Sequence, residues 1–138
     1  MQAALRCISL ATSPARDDTR MNAIDAAPIR NRLLAALPAR ELRALAQAAA
    51  MTPIRLQLGE TLHEQGQPID DVYFPCDCVV SFMAVASQRM TLEVGLVGRE
   101  GLAGIAVAMG SRVSPVRAVV RRGGTAMRMS AQAFRNSL

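Results

Sequence analysis

Residues 54–74 read IRLQLGETLHEQGQPIDDVYF, and the stretch divides into three extended segments separated by two turns. In the first segment Ile54, Leu56 and Leu58 alternate with polar residues, which is the period-two pattern of a half-buried β-strand. A Gly-Glu pair follows, and residues 65–68 (QGQP) interrupt the chain again, because glycine and proline favour turns. The stretch therefore predicts three short strands in close succession.

The chain beyond this stretch continues in the same manner. Strands are predicted at 79–86, 89–97, 113–120 and 125–129, a two-residue loop at Ser87-Gln88, one short helix across 98–110, and a final helix that Ser130 caps and that runs to the end. Short strands at intervals of about 8–12 residues with glycine turns are typical of a β-roll or barrel. The predicted fold class is mainly β with flanking helices.

The residues before the strands predict a helical hairpin. Apolar residues recur at helical spacing from Pro28 to Leu37, Pro38 separates the two helices, and Leu42 and Leu45 lie on one face of the second. Residues 1–27 show no sustained period and are predicted to be disordered, and Met21 is an alternative start. The predicted domain is therefore residues 28–138.

The amino-acid composition indicates the cellular compartment of the protein. No stretch reaches the ~18–20 continuous apolar residues that a membrane span needs, and the N-terminal residues lack a secretory pattern. Three cysteines, Cys7, Cys76 and Cys78, do not make a disulfide framework, so a cytoplasmic protein without membrane contact is predicted. We interpret Cys76-Asp77-Cys78 as small residues in a turn, with half a metal site and a redox pair as alternatives.

Positive charge is concentrated at the C-terminal end. Residues 101–138 carry six arginines and no acidic residue, which would attract an anion or nucleic acid. The whole chain has only one Tyr, three Phe and no Trp for base stacking. These residues are not predicted to bind nucleic acid by themselves.

The sequence lacks the residue sets of an enzyme. His63 is the single histidine, and there is no nucleophile elbow, phosphate-binding loop or dinucleotide fingerprint. We therefore predict no catalytic residues and no metal site. His63 is interpreted as a solvated or hydrogen-bonded residue at a strand edge, with a haem ligand as the alternative.

Taken in order, several motifs resemble a known family. They are L-x-LGE at 56–60, EQGQP at 64–68, VYF at 72–74, VGLVGREG at 94–101, the pair Arg117-Ala118, and Met129-Ser130 before a helix with Phe134. This set is similar to the cyclic-nucleotide-binding-like sensor domain of Crp/Fnr-type bacterial transcription regulators, over about residues 29–138. The resemblance implies an eight-stranded jelly roll (a double-stranded β-helix) that senses a small-molecule effector. It also implies a possible homodimer, and DNA contact only through a C-terminal winged-helix domain absent from this chain.

The resemblance also implies a ligand site. Its candidate residues are Gly98, Glu100, Gly101, Leu102, Ala103, Arg117 and Ala118. Nucleotide-binding members have a glutamate for the ribose hydroxyl where this chain has Leu102, and Glu100 would point elsewhere. Arg117 could supply the guanidinium for an anion, but Ala118 has no hydroxyl. An unpaired buried sugar hydroxyl costs about 1–3 kcal/mol, or roughly ten- to hundredfold in affinity.

The sequence thus predicts a sensor domain of a Crp/Fnr-like regulator that does not bind cyclic AMP in the usual way and holds no cofactor. Its signal would act at the junction of the roll with the last helix, near residues 130–138. Two alternatives stay open. One is a ligand-free protein-interaction module that dimerises through an exposed apolar surface. The other is a genuine cyclic-nucleotide-binding domain.

Overall fold

The computed structural model describes residues 30–138, so the predictions for residues 1–27 and for Met21 lie outside the described residues. The described elements are four short helices and seven strands. In chain order they are α1 (Arg32–Ala35), α2 (Ala39–Ala48), β1 (Thr52–Leu56), β2 (Thr61–His63), β3 (Asp71–Pro75), β4 (Val79–Ser87), β5 (Met90–Val97), α3 (Ile105–Ala108), β6 (Arg117–Arg122), β7 (Gly124–Ser130) and α4 (Ala131–Asn136).

The strands form two antiparallel sheets. Their orders are β1-β7-β3 and β2-β6-β4-β5, with β1 and β5 each at an edge. Pro53 lies within β1, where an edge strand tolerates a residue that cannot donate a backbone hydrogen bond. The predicted class, mainly β with flanking helices, is confirmed.

Two apolar cores hold the sheets and helices together. The core between the sheets contains side chains from both, among them Leu56 and Ala126 from one sheet and Val80, Ala118 and Val120 from the other. The second core lies between the helices and the opposite face of the sheet β1-β7-β3. Its members include Leu34, Leu42, Phe74, Met127 and Phe134.

Residues 98–110 do not form one helix, contrary to the prediction. Only Ile105–Ala108 is helical, and Gly104 just before it has φ +108°, a left-handed conformation that ends any helix arriving from residue 98. The residues before it begin with a turn, in which the Gly101 N–H donates to the Gly98 carbonyl at 3.2 Å. We call residues 98–104 the glycine segment.

The strand predicted at 113–120 begins later, at Arg117. Ser114 forms a turn instead, since its hydroxyl donates to the Val116 carbonyl at 2.6 Å and its N–H donates to the Gln67 carbonyl at 2.9 Å. Val113 contributes an isolated bridge with Pro68.

The remaining differences concern the ends of elements. β1 ends at Leu56, so Leu58 is 73% exposed, and Ser87 pairs with Met90, which makes Gln88-Arg89 the hairpin loop. α1 begins only at Arg32, with Asn31 as its N-cap, and α4 ends at Asn136. The prediction that Ser130 caps the last helix is confirmed, because its hydroxyl accepts the Ala133 N–H at 3.1 Å.

Candidate functional site

The predicted site residues lie in two places. Gly98 to Ala103 belong to the glycine segment, and Arg117 and Ala118 are the first two residues of β6. The glycine segment follows β5 and leads into α3, so it joins the sheet β2-β6-β4-β5 to the helical side of the molecule.

The Glu100 side chain folds back onto its own turn. Its Oε1 accepts the Gly98 N–H at 2.9 Å, and this bond is the main cause that lowers the pKa of the Glu100 carboxyl from its usual value. The carboxylate is thus ionised and held at residue 98. That Glu100 would not contact a sugar hydroxyl stays a prediction.

Leu102 and Ala103 are buried rather than open to a ligand. Leu102 belongs to the helical core with Phe74 and Phe134. Ala103 exchanges two backbone hydrogen bonds with Tyr73, its N–H donating at 2.8 Å and its carbonyl accepting at 3.0 Å. The Ala103 N–H is therefore already used, as are those of Gly98 and Gly101, which reduces the donors that the segment can offer a phosphate.

Gly104 and His63 meet where the glycine segment closes over the roll. A Cβ atom at Gly104 would lie 2.8 Å from Val72 Cγ1 and 3.5 Å from His63 Cε1, so the position leaves no room for a side chain. His63 is buried, its Nε2 lies 2.8 Å from the Asp71 carbonyl oxygen, and its ring centroid is 5.7 Å from that of Tyr73. The histidine is hydrogen-bonded, as predicted, but it is not solvated.

Burial lowers the pKa of His63 below its ordinary value of 6.5, although the bond to Asp71 and the charges of Asp71 and Asp70 oppose this. The unfolded chain therefore binds the proton more readily than the folded one, and stability falls as the pH drops through about 6.5. His63→Gln keeps a donor for the Asp71 carbonyl but does not titrate. Between pH 7 and pH 5 we expect the melting temperature of the wild type to fall relative to that of this variant. If the melting temperatures of the two proteins changed equally with pH, the lowered pKa of His63 would be contradicted.

Arg117 and Ala118 project from opposite faces of their sheet. Ala118 is fully buried in the core between the sheets, whereas Arg117 pairs with Met83 of β4 and shares the other face with it. The Arg117 Nε donates to Glu64 Oε2 at 2.9 Å, and both side chains are partly exposed. Of the predicted residues, Arg117 alone presents an ionised group on this face.

Sequence reasoning missed four residues that share this face, namely Glu64, Ser81, Met83 and Glu93. Met83 pairs with Arg117 on one side and with Glu93 of β5 on the other, so the three form a row across the sheet. Glu93 Oε2 accepts the Ser81 hydroxyl at 2.6 Å. One guanidinium thus lies on a face that also carries two carboxylates, those of Glu64 and Glu93. We call Glu64, Ser81, Glu93 and Arg117 the charged face.

The alternation along β4 and β5 could have pointed to the charged face. A bulge between Phe82 and Met83 shifts the pairing by one residue, so that Glu93 comes opposite Met83. Gly95, an isolated glycine within β5, lies at this bulge and was the available signal for it. That signal was not used, so Glu93 was not placed on the same face as Arg117.

An apolar groove of about 520 Å³ lies on the helical side. Its lining comes from α1, α2, α4, β3 and the glycine segment, and it includes Leu33, Leu37, Leu45, Phe74, Leu102 and Phe134. Leu102 and Phe134 thus bring the glycine segment and the last helix to the same cavity.

Within residues 30–138 no group of three or more His, Cys, Asp or Glu side chains could hold a metal ion. Cys78 is free, and burial raises the pKa of its thiol to about 11. Cys76 is disulfide-bonded, so the two cysteines of the Cys76-Asp77-Cys78 turn are not joined to each other. None of the helices in the described part of the chain is long and apolar enough to cross a membrane.

No protein-family model matches the chain, and no curated protein matches it. Solved structures do share its fold. The regulatory subunit of a cAMP-independent protein kinase A from Trypanosoma brucei superposes with a TM-score of 0.71 at 14% identity, over 86% of this chain and 43% of that one. A variant of that subunit, with one glutamate replaced by alanine and two adjacent positions changed to arginine and alanine, has cAMP bound in its A site.

Bacterial regulators have the same fold. The sensor domain of the transcriptional regulator DNR from Pseudomonas aeruginosa has a TM-score of 0.61 at 15% identity, covering 73% of this chain and 67% of that one. The N-terminal domain of a transcriptional regulator from Streptomyces coelicolor A3(2) has a TM-score of 0.62 at 20% identity, covering 79% and 75%. The chain therefore has the cyclic-nucleotide-binding jelly-roll fold that its sequence predicted, and it spans less than half of the trypanosomal subunit.

Proposed function

We propose that this chain is the sensor domain of a Crp/Fnr-type transcription regulator and that it binds a small effector next to Arg117. The domain performs no catalysis, holds no resident cofactor and works in the cytoplasm. DNA is contacted by another domain of the regulator rather than by residues 30–138. Cyclic AMP is not its effector in the usual binding mode.

The proposal rests on the position and the hydrogen bonding of Arg117. A guanidinium at the start of β6 lies on the charged face, and its Nε donates to Glu64 at 2.9 Å. The planar guanidinium of arginine can donate two parallel hydrogen bonds to a carboxylate or phosphate. A partly exposed arginine on a sheet therefore suits an effector with a negative group. The glycine segment adds little for a nucleotide, because Glu100 is turned onto Gly98 and Leu102 is buried.

The signal would then reach the last helix through the glycine segment. Leu102 lies in one apolar cluster with Phe134, so a shift of the segment changes the packing of α4. An effector that binds one arrangement of these residues better than the other shifts their populations toward it.

Calorimetric titration with cyclic AMP, cyclic GMP and cyclic di-GMP tests the proposal. We expect binding of cyclic AMP to be roughly ten- to hundredfold weaker than in a site with the sugar-binding glutamate, because the ribose hydroxyl finds no acceptor. Arg117→Gln is the matched control, and it should remove whatever weak binding remains. Micromolar binding of cyclic AMP that this variant abolishes would instead identify a genuine cyclic-nucleotide-binding domain. The arginine–alanine pair introduced in the trypanosomal variant, like Arg117-Ala118 here, is the observation that favours that alternative.

A ligand-free interaction module is the second candidate, and exposed apolar side chains favour it. They include Ile105 and Met109 at α3 and Met90, Leu92 and Val94 on β5. For this candidate, sedimentation equilibrium would give a mass that rises with concentration, and none of the three cyclic nucleotides would produce heat.

A further inference from the structure

Glu64 is the hydrogen-bond partner of Arg117, the residue next to which the proposed effector would bind. Its carboxylate oxygen lies 2.9 Å from Arg117 Nε, although the two residues are 53 positions apart in sequence. The pairing is a product of the fold, since Glu64 directly follows β2 and the neighbouring His63 is in register with Ala118 of β6. The Glu64 carboxylate therefore uses the Nε–H, one of the planar N–H donors with which Arg117 could hold a phosphate or carboxylate ligand.

The charge of the face also opposes a simple anion. Glu64 and Glu93 together carry two negative charges against the single positive charge of Arg117. The Glu93 carboxylate is occupied by the Ser81 hydroxyl, which leaves its charge in place. An anion that displaces Glu64 from Arg117 therefore leaves an unpaired carboxylate beside it and adds a further negative charge.

We propose that Glu64 determines the specificity of this site and that it selects an effector with both a negative and a positive group. The negative group pairs with Arg117, and the positive group, an ammonium or a comparable donor, pairs with the displaced Glu64. Such a zwitterion satisfies both residues, whereas a plain anion satisfies only one. This inference rests on the proposed function, because it assumes that the effector binds at Arg117.

Ethyl phosphate and O-phosphoethanolamine are suitable probes, because they have the same skeleton and differ in the added ammonium group. Binding is followed by ¹⁵N chemical shifts, including the Nε–H signal of Arg117, which reports weak affinities directly. In the wild type we expect O-phosphoethanolamine to bind about fivefold more tightly than ethyl phosphate. In Glu64→Gln we expect the affinity for ethyl phosphate to rise by about twofold to fivefold, the range that exposed ion pairs allow, and the preference to disappear.

Glu41→Gln is the matched control, since it removes the same charge from an exposed position on α2, away from the sheet. It should leave both affinities as in the wild type. If ethyl phosphate binds the wild type as well as O-phosphoethanolamine does, and Glu64→Gln changes neither, the role of Glu64 is wrong while the effector site stands. If neither probe shifts the Arg117 signal in any of the three proteins, the effector site at Arg117 is wrong as well.

Discussion

Asn31→Ala is expected to lower the free energy of unfolding by about 3 kcal/mol. Asn31 is completely buried, and its side chain makes four hydrogen bonds. Its Oδ1 accepts the N–H groups of Leu33 at 3.1 Å and Leu34 at 3.2 Å, which caps α1. Its Nδ2 donates to the carbonyls of Pro75 at 2.8 Å and Gly101 at 2.9 Å.

Alanine removes the cap and leaves the two carbonyls without this donor. Loss of an N-cap costs about 1 kcal/mol, and a buried polar group without its partner costs about 1–3 kcal/mol. The four-residue helix α1 is too short to be stable by itself, so it depends on these contacts. Chemical denaturation of the full chain measures the loss.

Asn31→Ser separates the two contributions. Serine retains an oxygen for the cap but is too short to reach Pro75 and Gly101, so we expect it to restore about 1 kcal/mol relative to alanine. If the serine variant equals the wild type in stability, the bonds to Pro75 and Gly101 contribute nothing. That outcome would also remove Asn31 as a link between α1 and the glycine segment.

The sequence predicted the strands best where apolar residues alternated regularly or turn-forming residues set the bounds. β3, β4, β5 and β7 lie within one or two residues of their predicted bounds, although the loop between β4 and β5 contains no glycine and most of β5 is exposed. The glycine segment was misjudged because its apolar residues suit either a helix or a buried turn. Contacts distant in sequence decided between them, namely the bridge of Ala103 with Tyr73 and the close approach of Gly104 to Val72.

The candidate site was predictable only in part, for a reason of geometry. Arg117 was identified from its place in a motif, but its partner Glu64 lies 53 residues away and comes near only when β2 pairs with β6. Glu93 reaches the same face through a bulge that shifts the register of β4 and β5. Contacts set by register depend on the whole sheet, and a local pattern alone does not determine them.

Phe134→Ala is expected to have the largest effect, a loss of about 3–4 kcal/mol in the free energy of unfolding. The ring is 7% exposed and meets Phe74 edge to face, with centroids 6.0 Å apart. It also lines the apolar groove with Leu102, so truncation enlarges a cavity that the helices cannot easily close. α4 has only six residues and therefore depends on this side chain for docking.

Phe134→Leu is the matched control, because it retains most of the apolar volume and should cost only about 1 kcal/mol. Hydrogen exchange then shows which segments lose stability. In the alanine variant we expect faster exchange at residues 131–136 and also in the glycine segment, since Leu102 and Phe134 share one core. Faster exchange in α4 alone would mean that the last helix moves independently of the glycine segment. The path from an effector at Arg117 to the last helix would then have to avoid Leu102.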